Sequence, residues 1–245
     1  MTPVAPSAAP VRAAALPRGT AAAVLALLPL LAGCGALGNI GAGSHNPPAN
    51  EFTVTGKVTS VVIHGGSGAV DVTGTSGSTV TVAQHASYSG TAPAASHVLR
   101  GTTLTVSYTC PTELVCGMSY VVQVPRDVAV SVSTSAGSVT LTSLAGTVSA
   151  RAAAGLITAV DLRCAVASFN SNAGGVIATF STVPRSLTAS TNVGPITLTV
   201  PGSVAYQVTA HTVVGTSTIT VRRGGSSPYS ISARSDLGSI SISPS

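Results

Sequence analysis

At 245 residues the chain has room for one large domain or two small ones, and its composition, with 7% charged residues and no Trp, excludes a charged helical bundle. Val, Ala, Ser, Thr and Gly dominate, which suits β-structure with small side chains and frequent turns. The formal charge of +5 falls to about +3 once Arg12 and Arg18 are set aside with the N-terminal segment; the other Arg residues are scattered singly apart from Arg222-Arg223, so no nucleic-acid partner is expected.

Arg12 and Arg18 precede an apolar stretch, Thr20 to Leu31, that is too short, and at Pro29 too broken, for a comfortable membrane span. It reads as the hydrophobic region of a secretion signal covering residues 1–33. The stretch closes on Leu31-Ala32-Gly33-Cys34, which resembles the lipobox of bacterial lipoproteins: Leu three places before an obligatory Cys, with small residues between. A signal peptidase needs small side chains beside the scissile bond, and the thiol of the Cys accepts a diacylglycerol worth about 0.8 kcal/mol per buried CH2 group. The resemblance implies lipidation at Cys34, a membrane partner through that lipid, and display on the extracellular face of the cell membrane. Residues 34–50, rich in Gly, Asn and Pro without periodicity, read as a flexible tether, and residues 51–245 as a single all-β domain.

The first part of that domain, Val58 to Val82 and Leu104 to Val124, alternates irregularly and predicts an N-terminal cap with some antiparallel pairing. Within it, Cys110 and Cys116 enclose five residues between two apparent strands. In an oxidising compartment that spacing suits a disulfide, whereas a metal site would need further ligands and only Glu113 is at hand.

From there a unit recurs: Gly, one variable residue, a β-branched apolar residue, Ser or Thr, and another apolar residue. It reads Gly137-Ser138-Val139-Thr140-Leu141, then Gly155-Leu156-Ile157-Thr158-Ala159, Gly194-Pro195-Ile196-Thr197-Leu198 and Gly238-Ser239-Ile240-Ser241-Ile242, with looser copies at Gly68, Gly174 and Gly215. The Gly residues at 137, 155, 174, 194, 215 and 238 are 18, 19, 20, 21 and 23 residues apart, a period that means stacked units. A second alternating strand lies between most of them, as in Gly146-Thr147-Val148-Ser149-Ala150 and Val204-Ala205-Tyr206-Gln207-Val208. The fold class expected is therefore all-β, a β-solenoid or parallel β-helix-like stack of two-strand coils. A β-sandwich of hairpins is the alternative, disfavoured because neither Asn-Gly nor Asp-Gly occurs. The lengthening period predicts a solenoid that widens toward its C-terminal end, with an exposed last coil around Ile240 and Ile242. Cys164 is left as an odd thiol and is expected to be a small buried core residue.

The segments Val61-Val62-Ile63 and Val70-Asp71-Val72, the strand Val121-Val122-Gln123-Val124-Pro125, the Gly-x-Val/Ile coils and the step Val200-Pro201-Gly202-Ser203-Val204-Ala205-Tyr206 together carry a resemblance. The chain resembles, over roughly residues 55–243, the bacterial "putative adhesin" domain family of unknown function found in actinobacterial surface lipoproteins. The resemblance implies a β-solenoid-like domain at the cell surface and brings no catalytic residues with it.

Residues that carry chemistry are few and dispersed. The histidines, at 45, 64, 85, 97 and 211, show no ligand spacing, so no metal is expected. Glu51, Asp71, Glu113, Asp127, Asp161 and Asp236 fall at no common register, which argues against paired carboxylates, and Gly-x-Ser-x-Gly is absent. Thr140-Leu141-Thr142, Thr197-Leu198-Thr199 and Thr218-Ile219-Thr220 resemble the flat ladders of ice-binding solenoids, but Ser149, Thr158 and Ala178 are expected to interrupt them. Scarce aromatics leave little to anchor a small-molecule cofactor. The expected function is non-catalytic: a lipid-anchored surface protein binding a macromolecule or the cell envelope. Envelope-stress sensing, or service as an accessory subunit of a membrane system, is the alternative, and a polysaccharide-active enzyme using Asp71 or Asp161 ranks third.

Overall fold

The computed structural model describes residues 49–111 and 115–245. Among them all regular structure is β, in a ten-stranded and a nine-stranded sheet. The N-terminal part runs β1 (Asn50–Val54), β2 (Ser60–Ser67), β3 (Val70–Thr75), β4 (Val80–Tyr88), β5 (Ala94–Arg100), β6 (Thr103–Thr109) and β7 (Cys116–Pro125). Six strand pairs follow. They are β8 (Ala129–Ala136) and β9 (Val139–Thr142), β10 (Val148–Ala154) and β11 (Ile157–Leu162), and β12 (Val166–Ala173) and β13 (Val176–Phe180). The last three are β14 (Ser186–Val193) and β15 (Ile196–Val200), β16 (Gln207–Val214) and β17 (Ser217–Ile219), and β18 (Ser230–Leu237) and β19 (Ile240–Pro244). Each pair, together with β2–β3 and β6–β7, is one coil of a β-solenoid: its first strand joins the nine-stranded sheet and its second the ten-stranded sheet. Successive coils pair in parallel register, as a stack requires and a hairpin sandwich does not.

Alternation supplies the core. Val139 and Leu141 of β9 point inward and align with Ile157 and Ala159, Val176 and Ala178, Ile196 and Leu198, and Ile240 and Ile242. One coil cannot hide these side chains alone, and the stack buries them all. Sizes compensate across neighbouring coils: Phe169 of β12 sits in register between Ala150 and Ala189, so one ring fills the room that two small residues leave. The core lies wholly within Gly41–Ser245, which forms one compact unit.

The corner from the nine-stranded into the ten-stranded sheet is built the same way in seven coils. Each turns at a Gly with φ between +134° and +155°, from Gly68 to Gly238. A Cβ at Gly174 would strike the carbonyl of Gly155 in the next coil, so the close approach excludes any side chain there. In four of these coils, an inward Ser or Thr three residues before the Gly donates its hydroxyl to the corner carbonyl of the adjacent coil. Ser171 reaches Gly155 O (2.9 Å), Thr191 reaches Gly174 O (2.7 Å), Ser235 reaches Gly194 O (3.1 Å) and Thr212 reaches Gly238 O (2.8 Å). These buckles satisfy carbonyls that would otherwise face the core without a partner.

Coil order in space departs from chain order at both ends. The β2–β3 coil lies between β6–β7 and β8–β9, and the last coil of the chain, β18–β19, is inserted between β14–β15 and β16–β17. The expected exposed end at Ile240 and Ile242 is thus corrected: both are fully buried, and the terminal coil is β16–β17. The longest periods, before Gly215 and Gly238, are those in which the chain steps over an empty place and returns to fill it. The outgoing segment after β15 and the returning segment after β17 clamp together: Tyr206 bridges Arg223 and bonds Pro201 O through its hydroxyl (2.8 Å), while Arg222 donates to the carbonyls of Gly202 and Ser203. At the other end, β4 lies antiparallel to β7, β1 to β4 and β5 to β6, which forms the antiparallel cap.

The buckles predict a measurable cost. Ser171→Ala leaves Gly155 O buried and unpaired and should destabilise Gly41–Ser245 by about 1–3 kcal/mol in urea unfolding. Ser168→Ala, on the outer face of the same strand, should stay within about 0.5 kcal/mol of the parent. Equal stability of the two variants would show that the hydroxyl contributes nothing.

Candidate functional site

The residues that alternate with the core positions form two flat outer faces. On the nine-stranded sheet Ser131, Ser149, Ser168, Thr188, Ser232 and Thr209 fall in one registered row across six coils. Beside it runs Ser133, Arg151, Asn170, Ser190, Arg234 and His211. At about 4.8 Å per strand each row spans ~24 Å. Neighbouring coils are cross-linked along this face, by Asn170 donating to Ser190 Oγ (2.7 Å) and by His64 Nδ1 against Ser133 Oγ (3.1 Å). Arg234 is paired with Asp236 at 3.2 Å, which leaves Arg151 without an acid on the two rows.

The ten-stranded sheet carries the threonines, and their parity differs from the sequence-based expectation. Thr140, Thr158, Ile177, Thr197, Ser241 and Thr218 share one outer row. Thr158 therefore belongs to the ladder, Ser149 lies on the other sheet, and Ala178 is fully buried in the core. The interruptions are Ile177 itself and Val160, both substantially exposed. The register of β11 against β13 slips between Ala159 and Leu162, while Val160 stays in register with Thr142 of β9 on the other side.

Cys110 and Cys116 are joined as a disulfide that closes the turn from β6 to β7, in the first coil of the stack. It flanks a cleft of ≈ 370 Å³ lined by Ser67, Gly68, Ser87, Val115, Cys116, Gly117 and Ser119. Cys164 is buried, and burial pushes its thiol up to about 11. Cys34, His45 and Glu113 lie outside the described residues. A second cleft, of ≈ 330 Å³, lies between His64, Tyr108 and Ser133 to Ser135.

Asp161 sits in the slipped segment at φ +53°. Hydrogen bonds from Ser181 and Ser143, and then the Arg163 guanidinium, hold its carboxyl below the usual carboxylate range. Asp71, on β3, is two coils away and three residues along, about 14 Å by strand and residue spacing. Carboxylate pairs that cleave glycosidic bonds stand roughly 5–9.5 Å apart. Among the described residues no three His, Cys, Asp or Glu side chains gather as metal ligands. His97 stacks on Phe52 at 4.0 Å, while His85 and His211 lie on different sheets.

No family model and no curated protein matches the chain. Among solved structures it is similar to a "putative adhesin" from Bacteroides fragilis, at 13% identity over 80% of this chain and 97% of that one, with a TM-score of 0.47. It is also similar to a "putative cell adhesion protein" from Clostridium sporogenes, at 12% identity over 80% of this chain and 100% of that one, with a TM-score of 0.42.

The cysteine assignments predict a labelling pattern for Gly41–Ser245. Iodoacetamide at about pH 8 should leave the folded protein unmodified. Denaturant should expose one thiol, Cys164, and denaturant with reductant should expose three. Intact-mass spectrometry checks this, and alkylation of Cys164 in the folded state would contradict its burial.

Proposed function

We propose that the protein is a non-catalytic, lipid-anchored surface module that binds a macromolecule of the cell envelope or beyond it through the outer face of its nine-stranded sheet. The observation that carries this reading is the registered face itself: hydroxyl and amide side chains in parallel rows across six coils, with one uncompensated charge. Ser and Thr lose little rotamer freedom when covered, and the parallel ladders beneath hold them in place, so the surface is organised before a partner arrives. A face without aromatic anchors gives a single sugar or small ligand little purchase. An extended polymer, touching many coils at once, gains by repetition. Lipid at Cys34 would fix the module to a membrane while the tether to residue 50 leaves it free to engage that polymer.

Co-sedimentation with isolated cell envelope tests the reading. Ser149→Lys with Thr188→Glu disrupts the proposed face while keeping the added charges opposite and two coils apart. It should weaken binding about tenfold or more, equivalent to ~1.4 kcal/mol. Thr158→Lys with Thr197→Glu, the same change on the ten-stranded sheet, should leave binding as it was. Equal retention by both double variants, or no binding by the parent, contradicts the assignment.

A further inference from the structure

The two ends of the stack are finished differently. At the N-terminal end the antiparallel strands close the core, and the Phe52 ring covers the His97 ring across the two sheets. Glu51 and Arg100 place charges on those edge strands. At the other end β16 and β17 belong to one coil and stop level with each other. Strand β16 pairs with β18 on one side and, among the described residues, with no strand on the other. Its inward Val208 and Ala210, and Ile219 of β17, are only half-buried, whereas their counterparts one coil in, Ile231, Ala233 and Ile242, are covered. From Gln207 to Ile219 the chain has no Asp, Glu, Lys, Arg or Pro, and the Arg222–Gly224 segment that bridges Tyr206 flanks only the start of this edge, so along β16 itself the devices that normally protect a sheet edge are missing.

We propose that this end is a self-pairing surface on which a second copy of the chain docks, β16 against β16 in antiparallel register. A two-fold axis perpendicular to the sheets continues both of them at once, brings β17 opposite β17, and joins the two open cores. The uncharged strands meet their own copies without repulsion, and the antiparallel pairing sets the Arg222-Arg223 pairs of the two copies at opposite ends of the junction. Head-to-tail stacking is disfavoured, because the ten-stranded sheet extends one strand beyond the nine-stranded sheet at the charged N-terminal end and offers no level face. The pairing therefore closes as a dimer. A β16 edge of ~26 Å across a core of ~10 Å presents roughly 300 Å² per copy, which places the contact in the weak, transient class.

The chain enters the solenoid at Asn50, at the opposite end from β16. In the dimer the two points of entry lie at opposite poles, ~90 Å apart for ten strands per copy. Taken with the lipid-anchor reading of the preceding subsection, on which this step rests, the partner that the end fits is a copy held on a second surface. Weak pairs repeated over two membranes add up to firm contact.

Sedimentation velocity of Gly41–Ser245 from about 10 μM to about 1 mM tests the pairing. Gln207 N–H donates toward β18, so by strand alternation the Ala210 N–H faces the open edge. Ala210→Pro removes that donor and Ala210→Lys sets a charge in the junction. The parent should dimerise with rising concentration, and both variants, lowered in melting temperature because Ala210 points into the half-buried end of the core, should stay folded by circular dichroism and lose at least tenfold in affinity. A parent that stays monomeric throughout, dimers unaffected by both variants, or growth beyond the dimer would overturn the proposal. Liposomes carrying the unit by an N-terminal histidine tag on chelating lipid should cluster with the parent and not with Ala210→Pro. Dimers in solution without clustering would overturn the bridging step. Envelope co-sedimentation reads the other surface, and Ala210→Pro should leave it intact, so the two readings fail separately.

Discussion

A backbone carbonyl turned inward at every corner is the constraint on which the rest of this fold depends. Positive φ at the corner Gly lets adjacent coils approach until no Cβ fits between them, and the same conformation points the carbonyl away from water. Left unpaired, each would cost about 1–3 kcal/mol. In four coils the hydroxyl that satisfies it comes from the neighbouring coil in space, so the bond holds coil to coil as well as closing the corner. Where the chain skips a place the buckle follows the stack: Thr212 of β16 reaches Gly238, a residue that comes later in the sequence.

Stacking in register also explains the poverty of charge. Every outward position repeats at about 4.8 Å in the coils above and below, so two like charges in one row would face each other directly. Arg151 and Arg234 share a row but are kept apart by Asn170 and Ser190, and Arg234 is neutralised by Asp236. Hydroxyl and amide side chains fill the remaining places at little cost. The surface that results is suited to meeting something extended and regular. A row of short polar groups offers many equal contacts and no single deep one.

Much of this was legible in the residues. The Gly-x-Val/Ile spacing announces parallel coils, Cys110 and Cys116 announce their bridge, and Cys164 reads as a core thiol. The buckle was also written there and is easily passed over: Ser171, Thr191, Thr212 and Ser235 each precede a corner Gly by three residues. Coil order was not legible, because β18–β19 and β16–β17 carry the same pattern and either could follow β15. Only the longer periods before Gly215 and Gly238 hint at a crossing out and back. The outer row itself follows from plain alternation in β13, which puts Ile177 on the face and Ala178 in the core, whereas the slip in β11 between Ala159 and Leu162 cannot be read from alternation.

The inserted last coil is the feature from which the free β16 edge and the buckle order both follow, and cross-linking tests it directly. Thr188 of β14 lies in register with Ser232 of β18, and Ser232 with Thr209 of β16, so Thr188 and Thr209 are two coils apart. Adjacent outward positions at about 4.8 Å fall within the ~4.4–6.8 Å that a disulfide spans, and positions at ~9.6 Å do not. Thr188→Cys with Ser232→Cys should therefore form a disulfide on mild oxidation of the folded protein, while Thr188→Cys with Thr209→Cys should stay reduced. The opposite outcome, a bond from 188 to 209 and none from 188 to 232, would mean that the coils stack in chain order and would contradict the account.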